Sequence, residues 1–448
     1  MQPKKEYLYP NQLSLFQFFL NAESILKNPI PFHKKAFEKY GDTFSIRFGF
    51  KNRIILSRDN EVALHILQKK HKNYQKSMIQ TEYLSKYIGK GLLSANGDFW
   101  LRQRRLIQPA FHKEKLNVLT TNMHEVIEHE LKELPTDQSL DVFPLMNKLA
   151  FTVVAKSLFH LSASAEMLDR IKYIIEKVQE FLVKEIRMPY KSWWFKLSGQ
   201  MKEHQLLAEE SRAIIKKIIL ERQSSKDSHD DLLHMLLDTR YEDTGEPMAL
   251  NQLIDEIAIL FIAGHETTAN ALTFTLQLLG MHPEVQEKIV DEINRIEALQ
   301  LPLIEQLQNF NYVNAVINES MRLYPPAWIT DRVSLEDDTV AGFKIKKDTL
   351  IGVSFYALHR NPNYWENPED FKPERFLGEQ RKKSMNYFYP FGAGPRMCIG
   401  MGFAIYEMAL AIVHLVKHYQ VISNQTEIAV NPLITLKPKG SKITFRKR

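Results

Sequence analysis

The chain has 448 residues, 44% hydrophobic and 25% charged, the balance of a globular protein with a large core, and length alone sets a prior of roughly three domains. Its 59 Lys and Arg against 53 Asp and Glu leave +6 spread along the sequence. There is no basic arm, zinc-ligand spacing or basic patch interleaved with aromatics, which excludes a nucleic-acid partner. A single cysteine excludes an intrachain disulfide or a cysteine-rich zinc site and fits a reducing, cytoplasmic setting.

Residues 1–20 hold no apolar run long enough to cross a bilayer and lack a signal-peptide layout, so residues 1–30 read as an N-terminal extension with no transmembrane segment. Thr43 to Ser57 alternates and is β-rich around Gly49 to Asn52, which predicts a hairpin. Asp59 or Asn60 can cap a helix through His65. Tyr74 to Asn96 mixes turn residues with Met78, Tyr83, Tyr87 and Ile88 in weak periodicity. From Asp98 to His112, Trp100 and Arg104 stand four apart on one helix face, either a solvated basic face or a pair aimed at an anion. Leu116 to Arg222 reads as several amphipathic helices, interrupted at Met188 to Leu197, where Trp193, Trp194 and Phe195 lie beside a helix-breaking proline. That interruption is an ordinary loop packed on the core, or a lid that meets an apolar ligand or a membrane surface. Gln223 to Asp230 is polar linker material.

Asn251 is expected to cap a long apolar helix that continues to about Leu279 and stops at Gly280, on the order of 40 Å in length. In its middle, from Ala263 to Thr268, Gly264 and two β-branched threonines weaken the helix, and Thr267 can bond back to the carbonyl of Ala263 and open space for a small molecule. The same residues also suit polar groups satisfied within a core helix. Pro283 to Ile293 reads as a charged surface helix, and Tyr312 to Tyr324 carries Glu319 and Arg322 at i, i+3, the spacing of an ordinary surface ion pair. Pro325 to Val333 should run extended, Val333 to Ser354 is strand-rich, and Pro362 to Pro390 is a proline- and aromatic-rich meander. The tail from Asn431 to Pro438 suggests a last hairpin. The β-rich parts thus fall near 43–58, 331–357 and 431–446, without internal repeats.

Phe391-Gly-Ala-Gly-Pro-Arg-Met-Cys-Ile-Gly400 places Cys398 between a glycine-rich turn and an apolar run of helical length. A lone cysteine there is a buried bystander, a nucleophile or a single thiolate ligand to a metal. The sulfur should sit at a helix N-terminus, where unpaired N–H groups favour thiolate. Gly392, Gly394 and Gly400 allow close backbone approach, Phe391 can shield the sulfur, and Arg396 supplies a cation for an anionic partner.

Phe391, Gly394, Arg396, Cys398 and Gly400 match F-x-x-G-x-R-x-C-x-G, and the loop resembles the haem-ligand loop of the cytochrome P-450 family of haem-thiolate monooxygenases. Further motifs match in register: W-x-x-x-R at Trp100 and Arg104, A-G-x-E-T from Ala263 to Thr267, E-x-x-R at Glu319 and Arg322, and P-E-R-F at Pro373 to Phe376. The resemblance covers roughly residues 30–448. It implies a mainly α fold with a smaller β lobe, a single domain over residues 1–448, and haem b (iron protoporphyrin IX) between the long distal helix and the helix that follows the cysteine loop. It assigns Cys398 as the iron ligand, and Trp100, Arg104, Arg332 and Arg396 as propionate contacts. Phe391, Gly392, Ala263 and Gly264 line the cofactor. Glu266 and Thr267 deliver protons to the distal oxygen, and Glu319, Arg322 and Arg375 form a buried network bracing the cysteine loop. Substrate-facing candidates are Phe261, Trp328, Ile329 and Leu436. The implied reaction inserts one oxygen atom of O2 into a C–H bond of a small, lipophilic organic substrate. Electrons come from a separate ferredoxin with its reductase, or from a flavodoxin-type donor. O-demethylation of a methyl ether, a peroxide-using enzyme and a non-catalytic haem sensor are the alternatives.

Overall fold

A computed structural model describes residues 8–48, 52–158, 165–224 and 231–448. The turn of the expected hairpin at residues 49–51 and most of the polar linker, residues 225–230, lie outside the described residues. The chain divides into two compact units of three stretches each: Met1–Ser77, Met321–Cys398 and Asn431–Leu436 in one, and Met78–Ser320, Ile399–Val430 and Lys437–Arg448 in the other.

The first unit carries the larger sheet. Its six strands lie in the order Asn11–Leu13, Thr43–Phe48, Asn52–Ser57, Leu350–Ser354, Ile329–Ser334 and Tyr74–Gln75. Asn52–Ser57 runs parallel to Leu350–Ser354, and the next pair, Leu350–Ser354 with Ile329–Ser334, is antiparallel. Ile351, Gly352, Val353 and Ser354 are buried in succession, as expected of an inner strand covered on both faces. Their neighbours include Ile55, Ile66, Phe355 and Tyr389. The stretch expected as an N-terminal extension is built into this unit from Leu8 onward, because Asn11–Leu13 pairs with Thr43–Phe48 and Leu13 packs on Phe37 and Phe44. Asp59 caps the helix Asn60–Leu64 by accepting from the N–H groups of Glu61 and Val62, as its position predicts.

The second unit is mostly helical, with a three-stranded sheet in the order Tyr419–Ile422, Lys442–Lys447, Ser139–Asp141. Its longest element is the 32-residue helix Leu250–Met281, about 48 Å at 1.5 Å per residue. The helix is apolar on nearly every side and is buried accordingly. Its ends differ from expectation. Ala249 occupies the N-cap and Asn251 sits exposed inside the first turn, while Gly280 stays helical and the chain leaves the helix at His282. Gly280 is there for contact: a Cβ would lie 2.8 Å from the Ser423 side chain, and the Ser423 N–H donates to its carbonyl.

One other expectation is corrected and a second qualified. Met188 to Leu197 is not a loop, since Pro189–Lys191 forms a 3-10 turn and Ser192–Leu197 a short helix that buries Phe195 and leaves Trp193 and Trp194 exposed. The helix Pro283–Glu297 is a surface helix as expected, but one of its charged residues, Glu292, lies on its buried face and is 3% exposed. Its carboxylate accepts from the backbone N–H groups of Tyr312 and Val313 at 2.8 and 2.9 Å, capping the start of the helix Asn311–Leu323.

Candidate active site

In the first unit the cysteine loop is folded by glycine. Gly392 and Gly394 have φ of 76° and 69°, and a Cβ on Gly394 would stand 2.0 Å from the carbonyl oxygen of Leu67. The Cys398 N–H donates to the Phe391 carbonyl at 2.9 Å, which closes the loop on itself. The helix begins at Met401 with Gly400 as its cap, three residues beyond Cys398, so the sulfur precedes the helix instead of sitting in its first turn. The Cys398 side chain is exposed and Phe391 is half-buried.

Arg322 anchors the chain that leads to this loop. It has no exposed surface, and its guanidinium donates to the carbonyls of His359, Pro368 and Asp370 at 2.9, 2.7 and 3.0 Å, with the Trp365 ring beneath it. Arg375 donates to the carbonyl of Asn367 at 2.9 Å, so two arginines pin the same bend. His359 is held neutral, first by burial and then by Arg322 and Arg360, and its Nε2 accepts the N–H of Tyr389 at 2.8 Å. Glu319 is completely buried, as the i, i+3 motif implies and as an ordinary surface pair would not be.

Near the loop, three basic groups act on one another. Lys76 and Arg332 are buried and Arg396 is half-buried. All three are held below their usual range, first by burial; Arg332 and Arg396 also push Lys76 down, and Arg332 pushes Arg396. Asp331 opposes this, and Arg332 donates to the Thr330 hydroxyl and the Asp331 carbonyl at 3.1 and 2.6 Å. Guanidinium remains charged at any ordinary pH, so an anion bound among these groups would relieve the repulsion. The sequence does not single out Lys76 as a member of this cluster, because it lies in a stretch of weak periodicity.

In the second unit the long helix opens on one side only. Ala263, Gly264 and Thr267 are half-buried, whereas His265, Glu266 and Thr268 to Leu279 are buried. Thr267 donates its hydroxyl proton to the Ala263 carbonyl at 2.7 Å, the expected bond. Thr268, Thr273 and Thr275 do the same one turn back, and the helix is continuous throughout, so the expected midway weakening does not interrupt it. Glu266 is 4% exposed and its carboxylate lies 3.0 Å from the ammonium of Lys437, a partner 171 positions away that no local spacing points to. His265 donates through Nδ1 to the Phe261 carbonyl at 2.6 Å and is held below its usual range, chiefly by burial. Trp100 is buried in the helix Gly97–Ile107, and Arg104, one turn on, is half-buried and donates to Gln108 at 3.1 Å.

The apolar candidates are mostly packed. Phe261 is 1% exposed and stacks on Phe151 with ring centroids 5.8 Å apart, a core position. Trp328 donates to the Leu433 carbonyl at 3.1 Å, and the N–H of buried Leu436 donates to the carbonyl of Pro326 at 2.8 Å. Ile329 alone of the four is half-buried.

Among the described residues no group of three or more His, Cys, Asp or Glu side chains is placed to hold a metal ion. A metal at Cys398 must therefore bring most of its own ligands, and an anionic macrocycle suits one exposed thiol two residues from Arg396, which belongs to the cation cluster.

Comparison with known proteins decides the family. The family model described as Cytochrome P450 matches residues 9–445. The chain belongs to the cytochrome P450 family. Among its relatives is the cyclooctat-9-en-7-ol 5-monooxygenase of Streptomyces melanosporofaciens, 31% identical over 74% of this chain and 73% of that one. A cytokinin hydroxylase of Arabidopsis thaliana is 29% identical over 93% of this chain and 83% of its own. The fold is that of the crystallised cytochrome P450DA haem domain, with a TM-score of 0.86 over 99% of this chain and 98% of that one at 21% identity. The protein is thus a P450 monooxygenase, an oxidoreductase with a haem-iron cofactor that uses O2, an organic substrate and a redox partner. No helix among the described residues is long and apolar enough to cross a membrane.

Proposed function

We propose that the protein hydroxylates a small lipophilic substrate, with haem b as its cofactor and Cys398 as the proximal ligand. The observation that carries this reading is the glycine-folded Cys398 loop, whose Arg396 joins buried Lys76 and Arg332 in one cluster of cations. When bound, the haem supplies activation of O2 and insertion of one of its oxygen atoms into a C–H bond. Cys398 gives the iron a thiolate from a loop that has no room to relax. Arg332 and Arg396, with Trp100 and Arg104, bind the propionates, and Lys76 joins them. Phe391, Gly392, Ala263 and Gly264 contribute small or flat surfaces against the ring. Thr267 has committed its proton to Ala263, so it faces the site as an acceptor and can orient a water. Glu266 supplies protons to that water. Glu319, Arg322 and Arg375 keep the cysteine loop in place, and Ile329 contributes to the substrate wall.

Kinship with a monooxygenase and a hydroxylase favours hydroxylation over demethylation. Three interleaved stretches in each unit lead us to treat residues 1–448 as a single functional domain. The electron donor is a separate ferredoxin or flavodoxin-type protein, and the setting is cytoplasmic. The test is turnover with a surrogate reductase under labelled O2 across a library of lipophilic compounds. One labelled oxygen atom in a hydroxylated product is expected. Oxidised product carrying oxygen from water alone, or product formed only with added peroxide, contradicts the reading.

A further inference from the structure

The ion pair of Glu266 with Lys437 is built unevenly: the glutamate side chain is 6% exposed and the lysine 23%, with 3.0 Å between carboxylate and ammonium. One partner is sealed in the long helix. The other, on the strand Leu436–Lys439, reaches water. His265, on the same helix, feels both members of the pair and also Glu176 on the helix Ala165–Arg187. Glu176 accepts from the Asn147 side chain, on the helix Val142–Val153, at 3.1 Å. His265 has its Nδ1 proton tied to the Phe261 carbonyl and is neutral, and Glu176 is an acceptor, so neither carries a spare proton toward Glu266. Lys437 does.

We propose that Lys437 is the proton entry to Glu266, carrying protons from solvent to the buried carboxylate. The proposal rests on Glu266 acting as the acid beside Thr267. In each transfer an N–H bond of the ammonium breaks and an O–H bond forms on the carboxylate, leaving a neutral amine and a neutral acid. Water at the exposed side returns a proton to the amine, and Glu266 passes its own into the site. Net movement is one proton inward, with no change in redox state. Between free side chains in water the transfer is unfavourable by about 10⁶. Against an attempt frequency of about 6 × 10¹² s⁻¹ that still allows on the order of 10⁶ transfers per second, beyond typical enzyme turnover.

Arginine at this position keeps the charge and the hydrogen bond but does not release a proton. The experiment compares Lys437→Arg, Lys437→Met and Glu266→Gln as haem-loaded proteins, reading product per NADPH and the solvent isotope effect on turnover. Both lysine variants are expected to lose about tenfold in turnover, with an enlarged isotope effect. A readout independent of turnover is the ¹⁵N-lysine NMR signal of wild-type protein: the resonance missing in Lys437→Met should shift in Glu266→Gln. Wild-type behaviour of Lys437→Arg would show that the ammonium only positions the carboxylate, and this overturns the proposal. So would wild-type turnover of Lys437→Met, or a lysine signal unmoved by Glu266→Gln. Normal product yield in Glu266→Gln, with the NMR shift present, instead refutes the role of Glu266 on which the proposal rests.

Discussion

Arg322 is an ion with no exposed surface, tolerated only because hydrogen bonds take the place of water. Its three carbonyl partners hold residues 359–370 in their meander. Arg322→Ala leaves those carbonyls unsatisfied and should cost roughly 3–5 kcal/mol, seen as a lower urea midpoint and protein purified without haem. Arg375→Ala, half-buried with one such bond, should cost about 1–2 kcal/mol and keep most of its haem. Equal effects would show that burial is not what makes Arg322 matter. Thr267→Val removes the acceptor while nearly preserving shape, so it should retain haem and substrate binding. Product per NADPH is expected to fall about tenfold and peroxide to rise, and unchanged coupling would remove Thr267 from proton delivery. The sequence singles these residues out through their resemblance to family motifs around Cys398, Glu319 and Thr267; spacing alone leaves Glu319 and Arg322 as an ordinary surface pair and predicts only the bond from Thr267 to Ala263. Lys76 and Lys437 were not legible, since each becomes a site residue only through partners distant in the chain.

Helices were read more reliably than their ends. The apolar run predicts the long helix, but the punctuation expected at Asn251 and Gly280 does not hold, and the helix passes through both. Local propensity loses there to a tertiary contact, as it does at Glu292, whose charge suggested a surface and whose partners are the N–H groups opening another helix. The loop Gly89–Ser94 shows the same dependence on neighbours. Asp255 accepts from the Lys90 N–H, Glu256 from the Leu92 N–H at 3.1 Å, and Gln252 bridges the Lys90 carbonyl and Glu256. Gly91 lies close beneath Glu256, and a Cβ there would stand 2.5 Å from the carboxylate, so that side chain would have to shift. Burial pushes Glu256 up from 4.5 to about 7, with the Leu92 N–H and Gln252 opposing. A raised acid means the folded protein keeps a proton that the unfolded chain releases. Stability should therefore fall as pH rises from about 4.5 to about 7 and level off above, by on the order of 3 kcal/mol. Glu256→Gln cannot ionise but still accepts from Leu92. Its urea midpoint should exceed that of the wild type at pH 8, and its drop between pH 5 and pH 8 should be smaller. An unchanged drop would place the pH dependence elsewhere.

At the scale of the whole molecule, length suggested several domains and the motifs suggested one. The structure has two units, each assembled from three separated stretches, an interleaving that no count of residues reveals. The motifs are divided accordingly: Arg322, Arg332, Arg375, Arg396 and Cys398 belong to one unit, and Trp100, Glu266, Thr267 and Glu319 to the other. The family match across residues 9–445 embraces both. Everything proposed for these residues depends on a thiolate at Cys398 binding the haem iron. The measurement that tests this most directly is the visible spectrum of the reduced carbon monoxide complex of the purified protein, beside that of Cys398→His. The expected result is one haem per chain with the strongly red-shifted Soret band of thiolate ligation, moved in Cys398→His to the position of imidazole-ligated haem. A wild-type band already at that position, or a red-shifted band that survives the substitution, would contradict it.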